Sequence, residues 1–149
     1  MTYVTHGTAL PDPHHEAEFY SGVALKRGLA WVVDVSAITA LTVVAGILTL
    51  TVALFFWPLV FLGIGLLYRI GSLVRSSATP GMRLMGIELR DHDGERLDGM
   101  QAGLHVLGYY ASMTFVLPQL ATIAAILTTP RRQGLTDFVL GTAAINRPG

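Results

Sequence analysis

The sequence has no cysteine and very little charge. Without thiols there is no disulfide scaffold, no Cys-ligated zinc or iron–sulfur site and no thiol catalysis. Asp, Glu, Lys and Arg make up only 13% of the 149 residues, against roughly 25% in an ordinary soluble domain. Ten basic and ten acidic residues cancel, so no global basic field exists to hold nucleic acid. A P-loop, a Gly-x-Ser-x-Gly elbow, a His-Glu-x-x-His pair, a dinucleotide fingerprint and internal repeats are all missing as well. The expectation is therefore a non-enzyme with no cofactor and no bound metal. His6, His14 and His15 lack the regular spacing of metal ligands, and Asp91-His92-Asp93-Gly94-Glu95 lacks the acids and the glycine position of a calcium loop.

What the chain does have is apolar residues, 52% of the total, unevenly placed. Gly28 to Tyr68 and Gly99 to Pro130 together hold one formal charge, Asp34. Val35 to Tyr68 is 34 uncharged residues, about 51 Å as one helix against a hydrocarbon core about 30 Å thick. Two spans are predicted there, at about 28–50 and 57–75. Phe55, Phe56 and Trp57 form an interfacial belt between them, and Pro58 lies in the first turn of the second helix. A third segment over 100–128, interrupted by His105 and Pro118, is long enough for one tilted or kinked span. The alternative is a re-entrant segment broken at Pro118, which would return the tail to its starting side.

Lys26 and Arg27 precede the first span, and Arg69, Arg75, Arg83, Arg90 and Arg96 end or follow the second. The positive-inside bias then puts the N-terminus and the 76–99 loop in the cytoplasm. A third full crossing would leave Arg131 and Arg132 outside, against that bias. Residues 1–22 are polar and rich in His, Pro and Glu; they read as a mobile tail rather than a cleaved leader. In the 76–99 loop, Ile87 and Leu89 alternate with Glu88 and Arg90, and Asp91-His92-Asp93-Gly94 signals a turn. A short β-hairpin or extended excursion is expected there, with Asp98 capping the next helix. The interspersed acids make the arginines of this loop a mixed-charge surface rather than a lipid motif. The fold class is thus an all-α membrane protein: a three-helix transmembrane bundle over 23–146, with a closing segment at 131–146.

Asp34 lies inside the first span, where a carboxylate costs a few kcal/mol to insert. Arg27, Ala30, Asp34, Ala37 and Leu41 share a helical face, so the charge should look into the protein. Two readings stand: a proton- or cation-binding carboxylate, or a structural one, neutralised or paired with an arginine. The small residues Ala30, Ala37 and Gly63-Ile64-Gly65 suit close helix packing, within one chain or between copies.

Three blocks of residues carry a family resemblance. Arg27-Gly-Leu-Ala-Trp-Val-Val-Asp34 opens the first helix. Thr79-Pro80-Gly81-Met82-Arg83-Leu84-Met85-Gly86-Ile87-Glu88-Leu89 is followed by Asp93-Gly94. Arg131-Arg132-Gln133-Gly134-Leu135-Thr136-Asp137 is followed by Gly141-Thr142. In order and spacing, from about Arg27 to Asn146, these resemble the RDD family of small bacterial integral membrane proteins, named for one arginine and two aspartates. By that resemblance Arg27, Asp34 and Asp137 are the namesake residues, and Arg83, Arg131, Arg132, His105 and Thr136 are accessory. Met82 stands for a usual lysine, Thr136 for the histidine before the second aspartate, and His105 for an arginine early in the third helix. His105 would supply an imidazole to Asp137 if the fold brings the two together. The resemblance implies a multi-pass protein of the bacterial inner membrane and, as first expectation, a transport component handling protons or monovalent cations. The alternative is a structural or assembly module without transport. Its expected partners are the lipid bilayer and either a second copy or another membrane protein, with no nucleic acid.

Overall fold

A computed structural model describes residues 8–49 and 52–148, apart from the side chains of residues 53 and 54. Helix α1 runs Val23–Leu48, a single turn α2 Val52–Phe55, and α3 Trp57–Ser76. At about 39 and 30 Å, α1 and α3 match the hydrocarbon thickness, and both are apolar enough to cross it. Pro58 sits in the first turn of α3, as its missing N–H favours. Ser36, Thr39 and Thr42 donate to the carbonyls of Val32, Val35 and Ile38, which leaves no hydroxyl of the three unsatisfied in lipid. Val32, Val44 and Ile47 of α1 and Leu59, Leu67 and Val74 of α3 are exposed, as bilayer-facing side chains are. The inward stripe of α1 is Ala30, Asp34, Ile38, Thr42 and Gly46. It follows strict steps of four, so Leu41, expected inside, points out.

A short helix α4 (Pro80–Leu84) and strand β1 (Ile87–Arg90) follow α3. Helix α5 covers Gly99–Thr114, α6 Val116–Thr128 and α7 Leu135–Leu140, and strand β2 (Ala143–Asn146) closes the fold. The fold is mostly helical with a small two-stranded antiparallel sheet. The strand expected in the 76–99 loop forms, but its partner is not a hairpin neighbour. β1 pairs with β2 from the C-terminus, Leu89 opposite Ala144 and Glu88 opposite Ile145. The Asp91–Gly94 turn is present, closed by Gly94 N–H donating to the Asp91 carbonyl. It is followed by no second strand but by Asp98, which caps α5 in a reciprocal pair with Gln101.

The third apolar segment is two helices bent by 117° at Phe115, the form of a broken span or a re-entrant loop. The break lies three residues ahead of Pro118, which occupies the first turn of α6. Ser112 donates to Gln119 and shares a hydrogen bond with Thr122, tying the two arms (3.0 and 3.2 Å). After this reversal α7 packs on α5 and α6, and the tail returns to the end of the bundle where α1 begins. Lys26 donates to Asn146, and the β1–β2 ladder joins the same end. Arg131 and Arg132 therefore lie with Lys26, Arg27, Arg75, Arg83, Arg90, Arg96 and Arg147. The conflict of Arg131 and Arg132 with the charge bias disappears.

The densest packing is at this polar end. Val23, Leu73, Ile87, Leu89, Leu97, Ala102, Val106 and Ala144 form one buried cluster between the start of α1, the end of α3, one sheet face and α5. Ala143 and Ile145, on the other face, pack under Leu10 and Tyr20. Residues 8–22 lie against this end of the fold: Ala9 N–H donates to the His92 carbonyl, and the Tyr20 hydroxyl to that of Pro11. Residues 1–7, with His6, lie outside the described residues. Glu88 is buried and held by Arg90 and Arg147.

Candidate functional site

Two buried carboxylates organise the polar end, each fastening a helix N-terminus. Asp34, one turn of α1 below Ala30, is 1% exposed. Its Oδ1 accepts from the backbone N–H of Gly81 (2.8 Å) and the Tyr68 hydroxyl (3.0 Å), and its Oδ2 from the Thr79 hydroxyl (2.5 Å). Thr79 is itself the N-cap of α4, accepting from Met82 N–H. Asp34 thus binds the first turn of α4 from outside, where free N–H groups favour an anion. The contact needs glycine at 81: a Cβ there would lie 2.4 Å from the Ala30 carbonyl oxygen and 2.6 Å from Asp34 Oδ1.

Asp137, in the first turn of α7, is equally buried. Its Oδ2 takes Arg27 Nη1 at 2.8 Å and the Gly134 N–H at 3.0 Å. Oδ1 takes the Thr142 hydroxyl at 2.8 Å and His105 Nε2 at 3.1 Å. Because a carboxylate only accepts, the imidazole presents Nε2–H. Burial works to raise the carboxyl pKa, but the Arg27 guanidinium, His105 and the Gly134 N–H outweigh it and hold the group well below the usual carboxylate range. Arg27 also donates to the Arg132 carbonyl (3.2 Å), so one side chain at the start of α1 holds both α7 and the connection that precedes it.

Arg27 therefore pairs with Asp137 and not with Asp34, its neighbour on α1. His105 reaches Asp137 as expected, supplying the imidazole that position 136 lacks. Thr136 makes no bond to the carboxylate and packs over Gly108, where a Cβ would meet it at 2.5 Å. Arg132 has a left-handed backbone (φ 51°) and donates to the Leu127 carbonyl. Arg131 lies beside Tyr20, and Arg83 is exposed at the end of α4. Gly65 serves packing inside the chain, against Tyr110 and Ile38. Among the described residues there is no cluster of His, Cys, Asp and Glu suited to a metal ion.

Both carboxylates border a cavity of about 890 Å³ between α1, α3 and the α5–α6 arms. Sequence reasoning missed one residue on its wall. Arg69, grouped by sequence with the arginines that end or follow the second span, is 7% exposed and turned inward. It lies over the Tyr109 ring (4.1 Å to the centroid) and donates through Nη2 to the Tyr109 hydroxyl (3.2 Å). Trp31 donates to the same hydroxyl at 2.8 Å. The available signal was its spacing: Gly65, Arg69 and Leu73, four apart, are the buried residues of α3.

Two apolar spans, a bent apolar helix pair and a small sheet gathering the cations at one end define a small helical membrane protein. The chain belongs to the RDD family, whose model matches residues 22–141. No curated protein and no solved structure matches it.

Proposed function

We propose that the namesake residues are fasteners, and that the protein is a non-enzymatic structural or assembly module of the bacterial inner membrane. One observation carries this reading: both carboxylates are enclosed by donors from the segments they join, three on Asp34 and four on Asp137. Asp34 ties α1 to α4, and Asp137 ties α7 to α1, α5 and the residue before β2. A pair so enclosed serves specificity of packing. Nine basic residues gathered at one end support an orientation with that end in the cytoplasm. The test is reconstitution beside thermal unfolding in detergent. Asp34→Asn and Arg27→Ala are expected to lower stability, with no pH-dependent ion flux in liposomes holding wild-type or variant protein. Unchanged stability together with wild-type flux would contradict the reading.

A second reading, a transport component handling protons or monovalent cations, rests on Asp34. Its three donors are all neutral and it borders the cavity, so no basic residue among those described is paired with it. Three helical segments enclose too little for a pathway, so this reading requires a homo-oligomer. It predicts that inserted, folded Asp34→Asn loses a pH-dependent flux that the wild type carries.

A further inference from the structure

Arg69 carries a charge that is paired with no acid among the described residues. A buried guanidinium is ordinarily paired, because an isolated one loses its hydration without return. Here its polar partners are the Tyr109 ring and hydroxyl and the Tyr110 hydroxyl, all neutral, and the buried Nε has no hydrogen-bond partner among the described residues. Asp34 borders the same cavity but spends its bonds on Tyr68, Thr79 and Gly81. Asp137 is taken by Arg27. The cavity wall holds three guanidinium groups, Arg27, Arg69 and Arg132, against these two carboxylates, so its uncompensated charge is positive. Arg69 lies seven residues before the end of α3, about 10 Å inside the helix. The remaining wall includes Leu29, Val32, Val106, Ile123 and Ile126; Leu29 and Val32 are also exposed on the bilayer side of α1.

We propose that this cavity admits a long-chain fatty acid from the surrounding bilayer, its carboxylate bound by the Arg69 guanidinium and its chain lying against the α1 and α6 side chains. A volume of about 890 Å³ falls in the range of small-ligand sites, which combine apolar walls with a few placed polar groups. The planar guanidinium of Arg69 on the cavity wall matches a carboxylate two-pronged. A single-chain acid also suits the depth, because a phosphodiester headgroup would have to bring its glycerol and second chain inside. The inference goes beyond the fastening role and is independent of it, since none of the Asp34 or Asp137 contacts is used.

The experiment uses the full chain in phosphatidylcholine nanodiscs with a diazirine-bearing palmitate, ultraviolet crosslinking and peptide mass spectrometry. Labelling is expected on α1 near Leu29–Val32 and on α6 near Ile123–Leu127. Excess oleate should suppress it, and oleyl alcohol, the same chain without charge, should not. Arg69→Met should cut labelling at least fivefold and Arg69→Lys less, while Arg75→Met, on the exposed end of α3, leaves it unchanged. Helix content and melting temperature are measured in parallel; Arg69→Met removes an unpaired charge and should hold or raise the latter. Equal labelling in wild type and Arg69→Met, or equal competition by oleyl alcohol, would overturn the proposal. So would label spread over bilayer-facing Leu59 and Leu67, or stronger competition by a diacyl anionic phospholipid than by oleate.

Discussion

Replacing Asp137 by Asn tests the closing contact of the fold at a single atom. The carboxylate is 1% exposed and accepts four hydrogen bonds. The amide keeps its shape but removes the charge opposite Arg27 and turns an NH₂ group toward one pair of donors. Arg27, 14% exposed, is left mostly buried without its acid, since its other contact is the neutral Arg132 carbonyl. Breaking one partner of a buried pair costs about 3–5 kcal/mol. Removing both charges should cost less, so Arg27→Met with Asp137→Asn is expected to be more stable than the sum of the two single losses implies, by about 1–3 kcal/mol of coupling. The assay is denaturant unfolding in dodecyl maltoside micelles of a Trp57→Phe background, followed by the fluorescence of Trp31, whose indole is hydrogen-bonded to Tyr109. Asp137→Asn within about 1 kcal/mol of wild type, or strict additivity in the cycle, would refute the reasoning.

Gly81→Ala should destabilise by about 1–3 kcal/mol or more, since its Cβ meets backbone oxygen and carboxylate with no flexible neighbour to yield; the melting temperature in detergent reports it. The depressed Asp137 carboxyl stabilises the fold fully above about pH 4, the unfolded value, and loses that contribution as pH falls through the lower folded value. The stability gap between wild type and Asp137→Asn should therefore narrow as pH falls below about 4. In this cysteine-free chain, Leu89→Cys with Ala144→Cys should form a disulfide in membranes, because the two face each other in the ladder. Leu89→Cys with Ile145→Cys, on opposite faces, should not. Phosphatase reporters placed before Gly22, in the 91–96 turn and after Arg132 should all report the same side of the membrane.

The membrane segments were legible because the bilayer imposes length and composition directly: the uncharged run after Asp34 specifies two spans, and Pro58 and Asp98 mark helix starts by local chemistry. The partner of β1 was not, because Ala143–Asn146 pairs across more than 50 residues and no local pattern encodes a long-range register. The return of the chain after Phe115 was weighed only through Pro118 and the misplaced charge of Arg131 and Arg132. The actual break is an extended Phe115, which has no sequence signal of its own. At the site, burial of Asp34 followed from its position inside an apolar helix, yet its partners did not. Arg27 lies on the same face of α1, but α7 brings Asp137 to it, while Thr79 and Gly81 satisfy Asp34. Arg69 was misread because an arginine near a helix end usually reaches for the interface; only tertiary packing around Tyr109 turns it inward.

The fastening account stands most directly on one contact, and isotopes can isolate it. Among the described residues, Arg27–Asp137 is the one ion pair between an arginine and an aspartate, the other arginine pairs being with Glu88. Solid-state NMR of protein carrying ¹⁵N-guanidinium arginine and ¹³Cγ aspartate in lipid bilayers would read that pair alone. The account predicts one aspartate carboxyl dephased by arginine nitrogen, a signal that disappears in Asp137→Asn and survives in Asp34→Asn. Absence of dephasing in the wild type, or its loss on substituting Asp34 instead, would contradict it.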